Sequence, residues 1–322
     1  MIPTLLGIAV ITFAVVHLAP GDPAALKAQS ASEALSSEQM TREIVEGTRT
    51  LYGLDKPLHE QFLLWVKRLA TLDFGTSYRD HRPVLEKIGE VLPITLTLNI
   101  LTILIVYLIA IPVGAYAALK PRGFVDRAST ILFMALYSLP SFWVAMMLIV
   151  ALASGDGLNW LPITGFVSDG ASQLSWHAWL ANVAWHLILP VICLTYGGFA
   201  FLSRFTRSSM LEVIRQDYIR TARAKGLPEW RVVVHHALRN AAIPLLTLMS
   251  ALLPALLGGS VIIEQIFSIP GMGRLGFESV MARDYPVIMA IATISAVLTL
   301  ISILLTDILY AVVDPRITFA KQ

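Results

Sequence analysis

The residues of this chain best placed to do chemistry form a short basic segment, Asp217–Pro228, which reads Asp-Tyr-Ile-Arg-Thr-Ala-Arg-Ala-Lys-Gly-Leu-Pro. The pattern favours a helix that ends at Gly226, where a left-handed C-cap is expected, and Pro228 prevents its continuation. Arg223 and Lys225 in the last turn complement the negative end of the helix dipole. No set of nucleophile, base and acid accompanies the segment. The segment therefore does not predict catalysis, and recognition of a partner is one of the roles that it leaves open.

The motifs expected for nucleotide binding and for metal chemistry are absent from the sequence. The sequence contains no G-x-x-x-x-G-K-[ST] phosphate-binding loop and no H-E-x-x-H zinc motif. His235 and His236 are adjacent, so they would point in different directions on a helix and do not predict a metal site. The single cysteine, Cys193, lies in an apolar run and is expected to be a packing residue. Asp307 interrupts the last apolar stretch, and an acid inside a membrane span is the best support for a proton-coupled secondary transporter. Its place near the end of the stretch and the lack of a basic partner within the spans favour a structural role instead.

Composition places the chain in a lipid bilayer. It is 322 residues long, 56% hydrophobic and 14% charged, with a mean hydropathy of +0.69. Soluble domains are roughly 45–50% apolar and 25% charged. The net charge of +2 is too small to argue for nucleic acid as a partner. Spans need about 20 apolar residues, and six segments predict an all-α polytopic membrane protein with six transmembrane helices: Ile2–Ala19, Val91–Leu119, Ala128–Gly155, Leu180–Ser203, Asn240–Ile263 and Tyr285–Val313.

Lys and Arg in the short loops orient the spans, because cytoplasmic loops carry the excess of positive charge. Segments 120–127, 204–239 and 314–322 fall on one side and hold three, eight and two of these residues. On the opposite side, 156–179 holds none and 264–284 holds two. We therefore expect both termini and the 204–239 loop to be cytoplasmic, with the spans in contact with membrane lipid.

These assignments divide the chain into four parts. Residues 1–19 form the first transmembrane helix; a signal peptide is less favoured, because no Lys or Arg precedes the apolar stretch. This missing basic lead-in suggests a native start upstream of Met1. Residues 20–90 form an extracytoplasmic region that either caps the spans or docks an external partner. Residues 91–313 form the five-helix core with its cytoplasmic loop 204–239, and residues 314–322 form a cytoplasmic tail.

Within the 204–239 loop, Arg204–Lys225 predicts one helix. Its apolar face carries side chains spaced three or four apart, namely Leu211, Ile214, Tyr218 and Ala222. A second helical piece begins at Pro228-Glu229. The residues alone leave three interpretations open: a docking element of fixed shape, a basic helix lying on anionic lipid, and a loop that only carries the positive-inside signal.

The segment from Tyr218 to Leu227, with His236-Ala-Leu-Arg-Asn240 and Ile243-Pro244 after it, resembles the "EAA" loop of bacterial binding-protein-dependent ABC importers. Ala222 and Gly226 match the general motif. Arg220 and Thr221 stand where Glu and the first Ala would be, a departure associated with the peptide and nickel branch. Further resemblances to that branch run in order along the chain: Ala19–Pro23, Gly53–Pro57, Asp73–Ser77, His186–Pro190, Arg204–Glu212, Phe267–Gly273, Arg283–Pro286, Asp307–Tyr310 and Asp314–Arg316.

The resemblance, which is to the first of two paired permeases, implies the type I ABC importer permease fold in a bacterial inner membrane. It implies a second homologous permease, two ATP-binding subunits that hold ATP and Mg²⁺, and an external substrate-binding protein. The ATPase-coupling residues would be Tyr218, Ile219, Arg220, Thr221, Ala222, Arg223, Ala224, Lys225, Gly226 and Leu227. Di- or oligopeptides are the expected cargo, with nickel or glutathione as alternatives, and this chain would bind no cofactor itself.

Overall fold

The computed structural model describes residues 2–18, 45–47, 49–50, 54–155, 157–249 and 252–313. The predicted 314–322 tail, the last residue of the predicted first helix, and residues 20–44, 48 and 51–53 of the predicted extracytoplasmic region lie outside these ranges. The helices named below are, in chain order, α1 (Ile2–Leu18), α2 (Leu58–Ala70), α3 (Val84–Leu119), α4 (Phe124–Tyr137), α5 (Ser141–Leu148), α6 (Trp176–Ile214), α7 (Asp217–Ala224), α8 (Glu229–Arg231), α9 (Arg239–Met249), α10 (Leu252–Gly258), α11 (Val261–Ile266), α12 (Met272–Met281) and α13 (Tyr285–Val313). Two π-helical segments, Ile149–Ala153 and Val232–Leu238, extend α5 and α8.

Several of these helices are apolar enough for a bilayer. Within the described residues, α3, α6 and α13 are long enough to cross a membrane, and α4 with α5 and its π-helical extension makes a fourth candidate if counted as one span. The helix α1 and the stretch Pro254–Ile266 are apolar but shorter. The prediction of an all-α membrane protein is confirmed, whereas the count of six spans stays a prediction.

The predicted third span, Ala128–Gly155, is not one straight helix. The chain bends by 93° between α4 and α5, because Pro140 has an extended ψ of 136° and cannot donate a helical hydrogen bond. The carbonyl of Leu139 at the break accepts a 2.7 Å hydrogen bond from the Tyr196 hydroxyl. A side chain from α6 thereby satisfies a backbone group that lipid could not.

The predicted fifth span, Asn240–Ile263, is also interrupted. It comprises α9, α10 and α11 rather than a continuous helix, and Gly259 lies between the last two with a φ of +57°. The Asn99 side chain on α3 donates hydrogen bonds of 2.9 and 2.8 Å to the carbonyls of Ala255 and Leu256. Broken helices at membrane depth require such partners for their backbone groups.

The chain forms two compact units, and the first comprises the described residues of Met1–Pro93 and Gly271–Leu300. Phe13 of α1 packs against Phe62 and Trp65 of α2, with ring centroids 5.2 and 6.0 Å apart. The side of α2 that carries Phe62, Trp65, Val66 and Leu69 is therefore the side that packs.

A buried carboxylate holds the turn after α2 in the same unit. Asp284, immediately before α13, accepts hydrogen bonds from the Ser77 hydroxyl at 2.5 Å and from the Tyr78 amide at 2.9 Å. Lys87 lies beside it, with its ammonium 3.0 Å from the Ser77 oxygen and 2.8 Å from Asp80. Although burial opposes ionisation of Asp80, hydrogen bonds from Lys87 and Ser77 lower the pKa of this carboxyl to about 2.

The second unit comprises Ile94–Pro270 and the described residues from Ile301 onward. Its largest apolar cluster joins α3, α5, α6 and α11 and includes the buried Leu98, Leu189 and Phe267. The helices α3 and α6 also approach closely at Gly114, where a Cβ atom would lie 2.3 Å from the Ser203 carbonyl oxygen. Small residues permit such approaches between membrane helices, where packing rather than water exclusion drives association.

Candidate functional site

The predicted recognition segment forms the short helix α7, which rests on an apolar cluster. Ile219 and Ala222, one turn apart, are buried, and Ile219 is 0% exposed. Burial of a full isoleucine side chain contributes about 1.5–3 kcal/mol. We call the surrounding residues the α7 seat: Ala115 and Ala118 of α3, Met210 of α6, Val232 and Ala237 of the π-helical segment, and Ala241 of α9.

The other side of α7 is open to solvent. The side chains of Asp217 and Arg220 are 95% and 75% exposed, and they form only a long 3.5 Å ion pair. Of the ten predicted coupling residues, two are buried and Leu227 is half-buried. The exposed ones are Tyr218, Arg220, Thr221, Arg223, Ala224, Lys225 and Gly226. The helix thus offers an exposed, predominantly basic surface on an anchored base.

The corner after α7 has the predicted geometry. Gly226 adopts a φ of +78°, a conformation that residues with a Cβ adopt at an energetic cost. Its amide donates to the Arg223 carbonyl at 2.9 Å, and the Leu227 amide donates to the Ala222 carbonyl at 3.4 Å. These two hydrogen bonds form a Schellman motif, so the left-handed C-cap expected from the sequence is confirmed.

An ion pair closes the corner across Pro228. The guanidinium of Arg223 donates to both carboxylate oxygens of Glu229, at 2.6 and 3.2 Å. The hydrogen bonds from Arg223 lower the pKa of Glu229 below its ordinary value. Both side chains are more than a third exposed, so water screening makes the pair a minor contribution to stability. The ion pair between Arg223 and Glu229 helps to orient the corner and adds little to the free energy of unfolding.

The predicted continuous helix Arg204–Lys225 is wrong. The helix α6 ends at Ile214, Gln216 is extended with a ψ of 149°, and α7 begins at Asp217. This interruption changes the helical phase, so the predicted apolar face is also wrong at one position. Tyr218 is exposed, and Ile219 takes the buried place instead.

An ion pair joins the first turn of α4 to the C-terminal part of α6. The buried carboxylate of Asp126 accepts two hydrogen bonds from the guanidinium of Arg207, at 2.6 and 2.9 Å. It accepts a third from the Arg122 amide at 2.7 Å. This contact was not predictable from the sequence, because 81 positions separate Asp126 from Arg207 and no local spacing signals it.

The acid considered for proton coupling lies on α13, which contributes no residue to the α7 seat. Asp307 is exposed on α13. His235, one of the two adjacent histidines, packs edge-on against Trp230 with ring centroids 5.9 Å apart.

Comparisons with known proteins find family matches over most of the chain. The family "Binding-protein-dependent transport system inner membrane component" matches residues 110–319, and its N-terminal counterpart matches residues 1–99. The oligopeptide transport system permease protein AppB of Bacillus subtilis is 41% identical, over 99% of this chain and 96% of the relative.

Two further relatives align over the whole chain. The dipeptide transport system permease protein DppB of Escherichia coli K12 is 37% identical, over 100% of this chain and 97% of its own length. The peptidoglycan transport system permease protein YejB of Agrobacterium fabrum is 34% identical, over 100% of this chain and 96% of its own. A helical chain with an anchored, solvent-facing α7 that aligns end to end with these permeases belongs to the family of binding-protein-dependent transport system inner membrane components.

Proposed function

We propose that this chain is the transmembrane permease subunit of an ATP-driven importer of di- or oligopeptides, and that α7 couples it to the ATPase. The observation that carries the coupling role is the division of α7 into a buried face, with Ile219 at its centre, and an exposed basic face. A helix that must transmit movement needs both a firm base and a free surface. The ten residues from Tyr218 to Leu227 supply them.

The proposed assembly contains this chain, a second homologous permease, two ATP-binding subunits and an external substrate-binding protein. ATP and Mg²⁺ would be held by the ATP-binding subunits, since the chain has no phosphate-binding loop. The excess of Lys and Arg in 120–127 and 204–239 supports cytoplasmic termini and a cytoplasmic α7. The family description supports dependence on a binding protein.

Peptide is the proposed cargo because of the relatives' names. Two of the aligned proteins are named for oligopeptide and dipeptide transport. The cognate binding protein, purified and offered peptides, a nickel complex and glutathione, should retain peptide. Retention of nickel or glutathione alone would contradict the proposed cargo and leave the permease assignment intact.

The coupling role is tested by reversing a charge on the exposed face. Arg220→Glu should reduce copurification of the ATP-binding subunits at least about fivefold, as expected for loss of an interface contact worth ~1 kcal/mol. Arg239→Glu is the matched control, because this exposed arginine lies in the same loop but outside α7. Membrane insertion of both variants should match that of the parent chain.

Two results would contradict the proposal. Equal loss of ATPase in the Arg220 and Arg239 variants would mean that net charge, rather than the α7 surface, governs association. Import by the assembled system that persists without ATP and follows the proton gradient would exclude an ATP-driven importer.

A further inference from the structure

A cavity of about 540 Å³ opens between the ends of α4 and α6. Four guanidinium groups line it, and two hydroxyl groups lie among them: Arg122, Arg127, Arg204, Arg207, Thr130 and Ser208. The family resemblance and the proposed coupling role assign no function to this cavity. Its lining differs from the α7 surface, which lies on another helix.

The cavity carries a net positive charge. Its single carboxylate, Asp126, is engaged by Arg207 and by the Arg122 amide. Among the residues that the structure describes, no carboxylate forms an ion pair with the side chains of Arg122, Arg127 or Arg204. The nearest recorded partner of Arg204 is the Met134 sulfur, 3.5 Å from its Nη1. Three guanidinium groups therefore face the cavity without a fixed counter-charge.

The cavity lies where charged sequence gives way to apolar sequence. Beyond Arg127, α4 carries no charged side chain up to its end at Tyr137, and α6 carries no Asp, Glu, Lys or Arg before Arg204. Large apolar side chains of α4 are exposed, including Phe124 at 86% and Ile131 at 71%. In a bilayer this is the headgroup level, where aromatic rings and cationic side chains meet phospholipid.

We propose that this cavity binds the phosphate of an anionic phospholipid headgroup. Arginine guanidinium groups bind phosphate oxygens through paired hydrogen bonds, and the two hydroxyl groups can donate to the remaining oxygens. The exposed apolar side chains of Phe124 and Ile131 would lie beside the lipid tails. A free phosphate ion would match the cations but would leave Phe124 and Ile131 without a role, so the source is membrane lipid.

The test measures lipid retained by the full-length chain in neutral detergent, by native mass spectrometry. Phosphatidylglycerol and phosphatidylcholine with the same acyl chains compete at equal concentration, and phosphatidylglycerol should be preferred. The double variant Arg127→Gln, Arg204→Gln should lower the preference about 10- to 30-fold, since each basic residue near the headgroups contributes on the order of a few-fold to anionic-lipid binding.

Two matched variants distinguish lipid binding at the cavity from a general effect of the net charge of the chain. Arg215→Gln with Arg231→Gln removes two exposed arginines outside the cavity and should leave the preference unchanged. Arg127→Lys with Arg204→Lys keeps the charge and should retain most of the preference, which also guards against a glutamine variant that fails to fold. Equal loss in the Arg215 and Arg231 variant would overturn the proposal.

A final arm distinguishes lipid from a soluble anion. Inorganic phosphate at 10-fold excess over lipid should displace little phosphatidylglycerol, because it lacks the acyl chains. Displacement of the lipid by inorganic phosphate, abolished in the Arg127→Gln, Arg204→Gln variant, would identify a free-phosphate site and overturn the lipid assignment. Unchanged preference for phosphatidylglycerol in that variant would remove the cavity from lipid binding altogether.

Discussion

Substitution of Gly226 separates the conformation of the corner after α7 from its contacts. The φ of this residue is +78°, and a Cβ atom added there would meet no heavy atom within 4 Å. The Cβ atom of a new side chain would therefore meet no other atom of the chain. The effect expected on the chain itself comes from the backbone conformation.

The expected magnitudes follow from that conformation. An ordinary L residue in the left-handed region costs roughly 1–2 kcal/mol, a β-branched residue lies at the upper end, and asparagine is tolerated best. These free energies reduce the population of the native corner by about 5- to 30-fold. Because Ile219 and Ala222 anchor α7 independently, the strain should displace the corner at Leu227–Pro228 rather than unseat the helix.

The assay is peptide-stimulated ATP hydrolysis by the assembled importer in proteoliposomes. Coupled hydrolysis should fall in the order Gly226, Gly226→Asn, Gly226→Ala, Gly226→Val, with normal membrane insertion throughout. Gly89→Ala is the matched control. Gly89 is a helical glycine with equally open space around its Cβ position, so alanine there should be neutral or stabilise α3 by about 0.5–1 kcal/mol.

Two outcomes would refute this reasoning. Full coupling in the valine variant would show that the left-handed corner is not needed for docking. An asparagine variant as defective as valine would show that side-chain volume matters, contrary to the open space around Gly226.

Three other predictions follow from single contacts. Gly114→Ala should lower the detergent melting temperature by several degrees, because overpacking against the backbone of α6 costs about 1–3 kcal/mol; an unchanged temperature would mean that the two helices separate freely. Asp284→Ala should destabilise the chain by about 3 kcal/mol and more than Ser77→Ala does, because the carboxylate accepts hydrogen bonds from a hydroxyl and an amide; equal losses in denaturant unfolding would contradict this. Thr221→Cys should react with an impermeant maleimide only in inside-out vesicles, over a low background from the buried Cys193; labelling of intact cells would reverse the orientation.

Local chemistry made the corner predictable. The left-handed Gly226 and the stop at Pro228 depend on residues that are adjacent in sequence, and the structure has both where the sequence placed them. Helical content was likewise predictable, because apolar runs of this length leave few other ways to satisfy backbone groups in lipid.

Features of the fold that depend on long-range contacts were not predictable from the sequence. The chain turns at Gln216 without a local glycine or proline, and the turn places Ile219 rather than Tyr218 in the α7 seat. The break at Pro140 within the predicted span Ala128–Gly155 is accompanied by a hydrogen bond from Tyr196, 57 residues away from Leu139. Neither contact leaves a periodic signal in the sequence.

The composition of the α7 seat bears on how α7 could transmit movement. Five elements meet there, since α7 and the π-helical segment pack with α3, α6 and α9. Val232 and Ala237, five residues apart, are both buried in it, a spacing that suits the wider turn of a π-helix. Close-packed interiors shift between discrete arrangements rather than deforming gradually. If α7 couples the chain to the ATPase as proposed, a displacement of α7 is expected to reach α9 through this segment, because Ile219, Val232 and Ala241 belong to one packed cluster.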